Sequence, residues 1–296
     1  MNSELARSKA EKYLASSMSP HGWWSYKDGN GPSLEATAWC AFALADQKEP
    51  ASQVIRFLSA QQNEDGGWST APDTGFSDWV TGPSLMAIRE IARKHPELLP
   101  KSVLQKGMLH LADSRPYFYP VVGRLLLLIS KGPEGVHFPR GWPWDPECFH
   151  WVEPTSYHLF ALKVPGMPEQ EVYRSIVDHA NRYILKRVCK GAFLTPFRVT
   201  TAEALLALQD VDRNKAINES LNHLESYRDA DTSTLGLAWS VLCLDAYGKN
   251  YEKELAFLVG RQKQDGSFTD NNVANAMAYL ALACAEGVNR LKFGKI

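Results

Sequence analysis

Four acidic residues sit at or just ahead of alanine-rich apolar stretches that lie far apart in the chain. They are Glu35 in LEATAWCAFAL, Asp78 before WVTGPSLMAI, Glu153 in VEPTSYHLFAL and Asp231 before TSTLGLAWSVLCL. Each keeps aromatic company: Trp39, Trp79, Trp151 with Tyr157, and Trp239. A carboxyl buried among such rings is pushed toward its protonated form, the state a general acid needs. Aromatic faces attract positive charge without acting as nucleophiles, so acids in an aromatic-walled cavity suit a reaction through carbocations. Asp231, Glu153 and Asp78 are therefore the candidate catalytic acids. Glu35, Trp39, Trp79, Trp144, His150, Trp151, Tyr157 and Trp239 are the candidate substrate-binding residues, with His150 placed to orient or recharge the acid. His158 reads as a core histidine. The plain alternative is that carboxylates at helix starts cap free N–H groups and answer the helix dipole, and that the aromatic stripe packs one repeat on the next.

For these residues to meet, the elements that carry them must share one polarity. Six apolar stretches have the composition of helices buried on most sides: 34–44, 79–88, 152–162, 199–208, 232–244 and 273–282. More polar amphipathic helices alternate with them, at roughly 4–16, 51–62, 101–112, 169–186, 212–227 and 251–262. The pattern predicts an all-α chain, an α/α toroid with about six inner and six outer helices in one domain over 1–296. Inner helices pointing the same way gather their starts around one mouth, with Glu35, Asp78, Glu153, Thr200 and Asp231 on the rim and Thr37, Thr81, Thr155 and Thr201 slightly deeper. The interval from Arg93 to Trp151 breaks the spacing. It holds a further helix pair and then an aromatic loop at about 131–151, whose Trp142, Trp144, Phe149 and Trp151 form either a lid over the pocket or a plug in the ring.

The connecting turns repeat as well. FLSAQQNEDGGW at 57–68 and FLVGRQKQDGSF at 257–268 match closely, and YLASSMSPHGWW at 13–24 and YILKRVCKGAF at 183–193 are weaker copies. The Q-x3-G-x-W spacing of Gln62, Gly66 and Trp68, met again by Gln262 and Gly266 with Phe268, resembles the repeat of the terpenoid-cyclase and protein-prenyltransferase families. That resemblance implies scaffold roles for the glutamine and the aromatic. It also implies a terpenoid cyclase-like activity, the acid-initiated cyclisation of a linear polyprenyl substrate. Proton-initiated cyclases of this kind carry a D-x-D-D-T motif whose middle aspartate donates the proton. Asp229-Ala230-Asp231-Thr232 is the nearest match, with Thr232 where the second aspartate of the pair should be. The prenyltransferase branch implies zinc held by a D-x-C pair, and Asp145-Pro-Glu-Cys148 has the wrong spacing. Asp145, Cys148 and His150 are residue types that bind zinc, but no recurring ligand pattern accompanies them, so no metal and no other cofactor is expected.

The remaining signals narrow the classes. The 32 Lys and Arg against 33 Asp and Glu give a net charge of -1, so no bulk field favours nucleic acid or an anionic membrane. The five scattered cysteines form no CxxC pair and no disulfide framework. The charged start MNSELARSKAEKYL lacks the apolar stretch of a secretory signal, which predicts a cytoplasmic location. The run 121–130, interrupted by Arg124, is too short to span a bilayer and leaves room only for peripheral membrane contact. The expected partner is an apolar, isoprenoid small molecule; oligomeric state is open. Two rival readings stand beside the cyclase: a non-catalytic toroid that binds an isoprenoid or a protein, and an α/α-toroid lyase or hydrolase, since fold does not fix function.

Overall fold

The computed structural model describes residues 2–70, 74–114, 125, 128–129, 141–146, 148, 150–164, 171–188, 197–226 and 233–293. Six of its helices are buried over most of their length: α2 (Leu34–Ala43), α4 (Thr81–Lys94), α6 (Val152–Lys163), α8 (Arg198–Ala207), α10 (Thr234–Ala246) and α12 (Asn272–Cys284). Each of the six packs on the next, and α12 packs back on α2, which closes an inner ring. Alternating with them are α1 (Ser3–Ser16), α3 (Lys48–Ala60), α5 (Lys101–Asp113), α7 (Glu171–Val188), α9 (Lys215–Ser226) and α11 (Glu252–Gly260). These are amphipathic. In α3 the buried residues are Ala51, Val54, Ile55 and Leu58, one stripe at helical spacing, and the opposite face is left to water. The chain is thus an all-α toroid. A single short antiparallel ladder stands out among the described residues, β1 (Trp142–Pro143) against β2 (His150–Trp151), pairing Trp142 with Trp151.

The turns are held by one bonding pattern used repeatedly. The Trp24 amide donates to the Thr37 hydroxyl, Trp68 to Thr81 and Trp142 to Thr155, each at 2.9 Å and 13 residues apart. The indole of Trp24 donates to the Leu14 carbonyl and that of Trp68 to Leu58, both at 2.8 Å, so a large apolar face is buried with its one polar group satisfied. These threonines, expected near the rim of the mouth, are therefore locks between a turn and the inner helix that follows it. In the last turn Asn275 replaces threonine and accepts from the Phe268 amide at 2.8 Å.

The glutamines tie each turn to an outer helix. Gln62 Nε2 donates to Gly66 O and to Val103 O at the start of α5, both at 2.8 Å. Gly66 has φ +93°, and a Cβ there would lie 2.6 Å from Lys106 O. Only glycine allows that backbone conformation and that approach at once.

At the C-terminal ends of the inner helices, cations meet carbonyls whose partners have run out. Arg89 on α4 donates to the carbonyls of Ala161 and Val164 at the end of α6, and Lys163 donates to Ala207 O at the end of α8 and to Asp210. Arg290, its side chain largely buried, joins Glu90 at 2.8 Å and Asp46. Phe293 brings its ring to 6.0 Å from Phe160, so the segment after α12 covers this end. No helix among the described residues is long and apolar enough to cross a membrane.

Candidate functional site

At the opposite end, where the inner helices begin, lie Glu35, Asp78 and Glu153. Glu35 lies in the first turn of α2, behind the N-cap Ser33, whose hydroxyl accepts from the Ala36 amide. Its carboxylate accepts a hydrogen bond from the Tyr26 hydroxyl. Burial pushes Glu35 up to about 7, against the pull of that bond and with the help of the nearby Asp78 charge. Desolvation disfavours the charged form and here outweighs one donor.

Asp78 sits in the turn before α4. Its Oδ1 accepts from the Val80 amide at 2.9 Å, and its Oδ2 accepts from the Thr70 amide at 2.6 Å and from the Thr70 hydroxyl. Burial still raises it above the ordinary aspartate range, and the neighbouring Asp145 adds to the shift. Trp79 belongs to the same turn, because α4 starts at Thr81. Glu153, in the first turn of α6, accepts from Thr200 Oγ1 on α8 at 2.7 Å, bridging two inner helices.

Beneath these carboxyls the aromatic side chains meet one another. The Trp39 ring lies 5.6 Å from Trp239 and 5.7 Å from Tyr157, both edge to face. Trp79 contacts Trp144 at 4.9 Å and Tyr157 at 5.6 Å. Phe160 continues the cluster to Trp239 at 6.1 Å. Tyr157 is thus the common neighbour of rings from the turn before α4, from α2 and from α10.

Two expected residues lie apart from the aromatic cluster, and a third is outside the described residues. Trp151 is 53% exposed and takes part in the β-ladder, so it faces water rather than walling the aromatic cluster. His150 packs its ring 5.8 Å from Tyr183 of α7, while its carbonyl accepts from the Tyr183 hydroxyl at 2.6 Å. Asp231 lies outside the described residues, as do Asp229 and Thr232. His158 is a core residue: its Nδ1 donates to Pro154 O at 2.7 Å, its ring stacks 4.8 Å from Trp142, and burial holds it down to about 3. Among the described residues no three His, Cys, Asp or Glu side chains group as a metal site.

One residue in the cluster was not anticipated. Glu203, in the middle of α8, is 0% exposed and accepts from the Tyr157 hydroxyl at 2.7 Å. Its Oε2 has no hydrogen-bond partner among the described residues. Burial raises this carboxyl well above the usual range, and Glu153 and Glu35 are near enough to push it further. The signal for it in the sequence is a lone acid inside the run TTAEALLAL, where every neighbour toward the C-terminus is apolar.

No known family model matches the sequence, and neither does any curated protein. Solved structures do resemble it. A protein from Actinoplanes superposes with a TM-score of 0.65 at 16% identity, covering 96% of this chain and 100% of the other. A variant of the type II terpene cyclase MstE from Scytonema, solved with its product merosterolic acid A, gives a TM-score of 0.63 at 14% identity, covering 96% and 97%. At these identities the likeness is one of fold.

Proposed function

We propose that this toroid is an enzyme of the type II terpene cyclase kind, which cyclises a linear polyprenyl chain by protonating it. The observation that carries the reading is a set of three carboxyls held above their ordinary range by burial, Glu35 and Asp78 near the starts of α2 and α4 and Glu203 bonded to Tyr157 of the aromatic cluster. Each keeps its proton more readily than a solvated acid, the protonated state that a general acid needs. The initiating proton adds to one end of the polyene, and the adjacent carbon becomes a cation. Internal double bonds attack it in turn, forming ring C–C bonds. Loss of a proton from the last cation returns the balance, so the net change is an isomerisation. Trp39, Trp79, Trp144, Tyr157 and Trp239 offer π faces to the migrating charge. Glu153, in the first turn of α6, and Asp231, ahead of the run TSTLGLAWSVLCL in the sequence, are the further candidate acids.

The test is incubation with linear prenyl alcohols, acetates and their terminal epoxides, with products separated by gas chromatography and identified by mass spectrometry. Asp231→Asn, Glu153→Gln and Glu35→Gln are run in parallel. Cyclic products from the wild type, reduced in at least one variant, are the expected result. Substrate recovered unchanged across the panel overturns the reading.

A second reading rests on one observation: the rings of Trp39, Tyr157 and Trp239 already contact one another at the centre of the toroid. A packed centre favours a ring that binds an isoprenoid or a protein partner without turning it over. Tight binding of a prenyl ligand with no product would establish that role.

A further inference from the structure

The joint that closes the ring has the same register as an interior one, so the two can be compared residue by residue. Gln62 bonds Val103 O of α5 and Gly66 lies against Lys106; Gln262 bonds Ala6 O of α1 and Gly266 lies against Lys9. In that register α11 stands for α3, Leu255 for Ile55, and Ser3 for Pro100. The interior joint has one part more. A 3-10 turn, Pro96–Leu98, leads into α5 and packs on α3; its Glu97 meets Lys48 at 2.7 Å and its Leu98 joins the core. Among the described residues nothing takes that place beside α11, where α1 starts at Ser3 with Asn2 as its cap. An open groove of about 560 Å³ remains there, lined by Ser3, by Leu255, Ala256, Val259 and Gly260 of α11, and by Gln262. The missing cover shows at its floor. Ile55 is buried, whereas Leu255 is only half-buried.

We propose that this groove receives a leucine-bearing segment of a partner protein, folded as a short turn like PELLP at 96–100. The interior joint is the template, because it shows which kind of segment fits between the face of one outer helix and the start of the next. The face of α11 suits such a guest better than that of α3 does, with Ala256 where α3 has Arg56 and Val259 where it has Ser59. Apolar side chains laid on it leave water, and that is the main driving force for the contact. The PELLP of this chain is already engaged on α3, so a second copy would have to unpack its own to offer it. A separate protein meets no such obstacle. The groove lies on the outer helices, and the proposal does not rest on the cyclase reading.

A fluorescein-labelled peptide of residues 94–101, KHPELLPK, tests the proposal when titrated with the full chain and followed by fluorescence anisotropy. Saturable binding with a Kd of roughly 10–500 µM is expected, weak because a free peptide surrenders its freedom on docking. The same peptide with both leucines replaced by aspartate should not bind. Gly260→Trp fills the groove without disturbing the helix, since a Cβ there meets nothing within 4 Å. It should weaken binding at least tenfold, as should Leu255→Asp, with melting curves confirming that each variant is folded. No saturable binding at millimolar protein, equal binding of the aspartate peptide, or undiminished binding in either folded variant overturns the proposal. A dimer in sedimentation that Gly260→Trp breaks would assign the groove to a second copy and overturn it as well.

Discussion

The side-chain amide of Gln262 donates to the backbone carbonyl of Ala6 at 2.7 Å, joining residues 256 apart in sequence. It makes with α1 the bond that Gln62 makes with α5, so the ring closes by repeating its own internal joint. Gln262→Ala removes this bond and a second one to Gly266 O. A loss of about 1–2 kcal/mol in urea unfolding is expected, from two bonds of ordinary net strength. A similar loss from Gln62→Ala would show that the seam is no weaker than the interior of the ring.

Trp68→Ala is expected to cost about 3–5 kcal/mol, because a fully buried indole leaves a cavity and the Leu58 carbonyl loses its donor. Gly66→Ala should also destabilise, since the added methyl meets Lys106 O and the φ is unfavourable for any other residue. Thermal melting checks both. Prenyl-ligand affinity measured well below the melting point should be unchanged in each.

Arg290→Ala leaves Glu90 buried without one of its two cations. A fully orphaned buried charge costs about 3–5 kcal/mol, and the loss here is smaller because Arg93 still bonds Glu90 at 2.7 Å. Arg290→Met should therefore be less damaging when combined with Glu90→Met than alone. Urea unfolding of the two single variants and the double variant gives the coupling directly.

Glu35 gives stability a pH dependence of definite sign. Its folded value of about 7 lies above the usual 4.5, so its contribution is full below about pH 4.5, where both states hold the proton. As pH rises the unfolded chain ionises first and gains on the folded one, until the folded carboxyl ionises near 7. Stability from this group therefore falls between those values. Glu35→Gln should flatten the fall, measured as denaturant midpoints across the same window. An unchanged slope would mean that Glu35 titrates as a solvated acid.

The parts of the molecule that were legible in the sequence are those where backbone geometry admits few residue types. Gln62, Gly66 and Trp68 are readable because a left-handed turn, a carbonyl to be met on the next helix and a buried indole each restrict the choice. The inner helices are readable because an apolar surface on every side has only one place to go. Glu203 escaped because helical periodicity reports which face is buried, and on a helix buried all round it cannot say which neighbour a polar residue will meet. Tyr157 supplies the answer from another helix, 46 residues away. The bonding role of Thr37, Thr81 and Thr155 was not legible for a different reason. Their constant spacing from Trp24, Trp68 and Trp142 was visible, but hydroxyls near helix starts suit a rim as well as a lock. Trp151 was expected inside because it adjoins an inner helix, and the short ladder with Trp142 turns it outward.

The seam between α12 and α1 also bears on how the chain reaches this shape. Neighbouring repeats can pair as soon as both exist, with short loops to close and little entropy to surrender. The seat of α1 is different, since it is built from α12 and the turn before it, near the other end of the sequence. During synthesis on a ribosome the first helix is made early and waits longest for its partner, its apolar residues Ala6, Ala10 and Leu14 uncovered in the meantime. Docking of α1 onto α12 is a contact of long sequence separation, the kind whose closure slows folding.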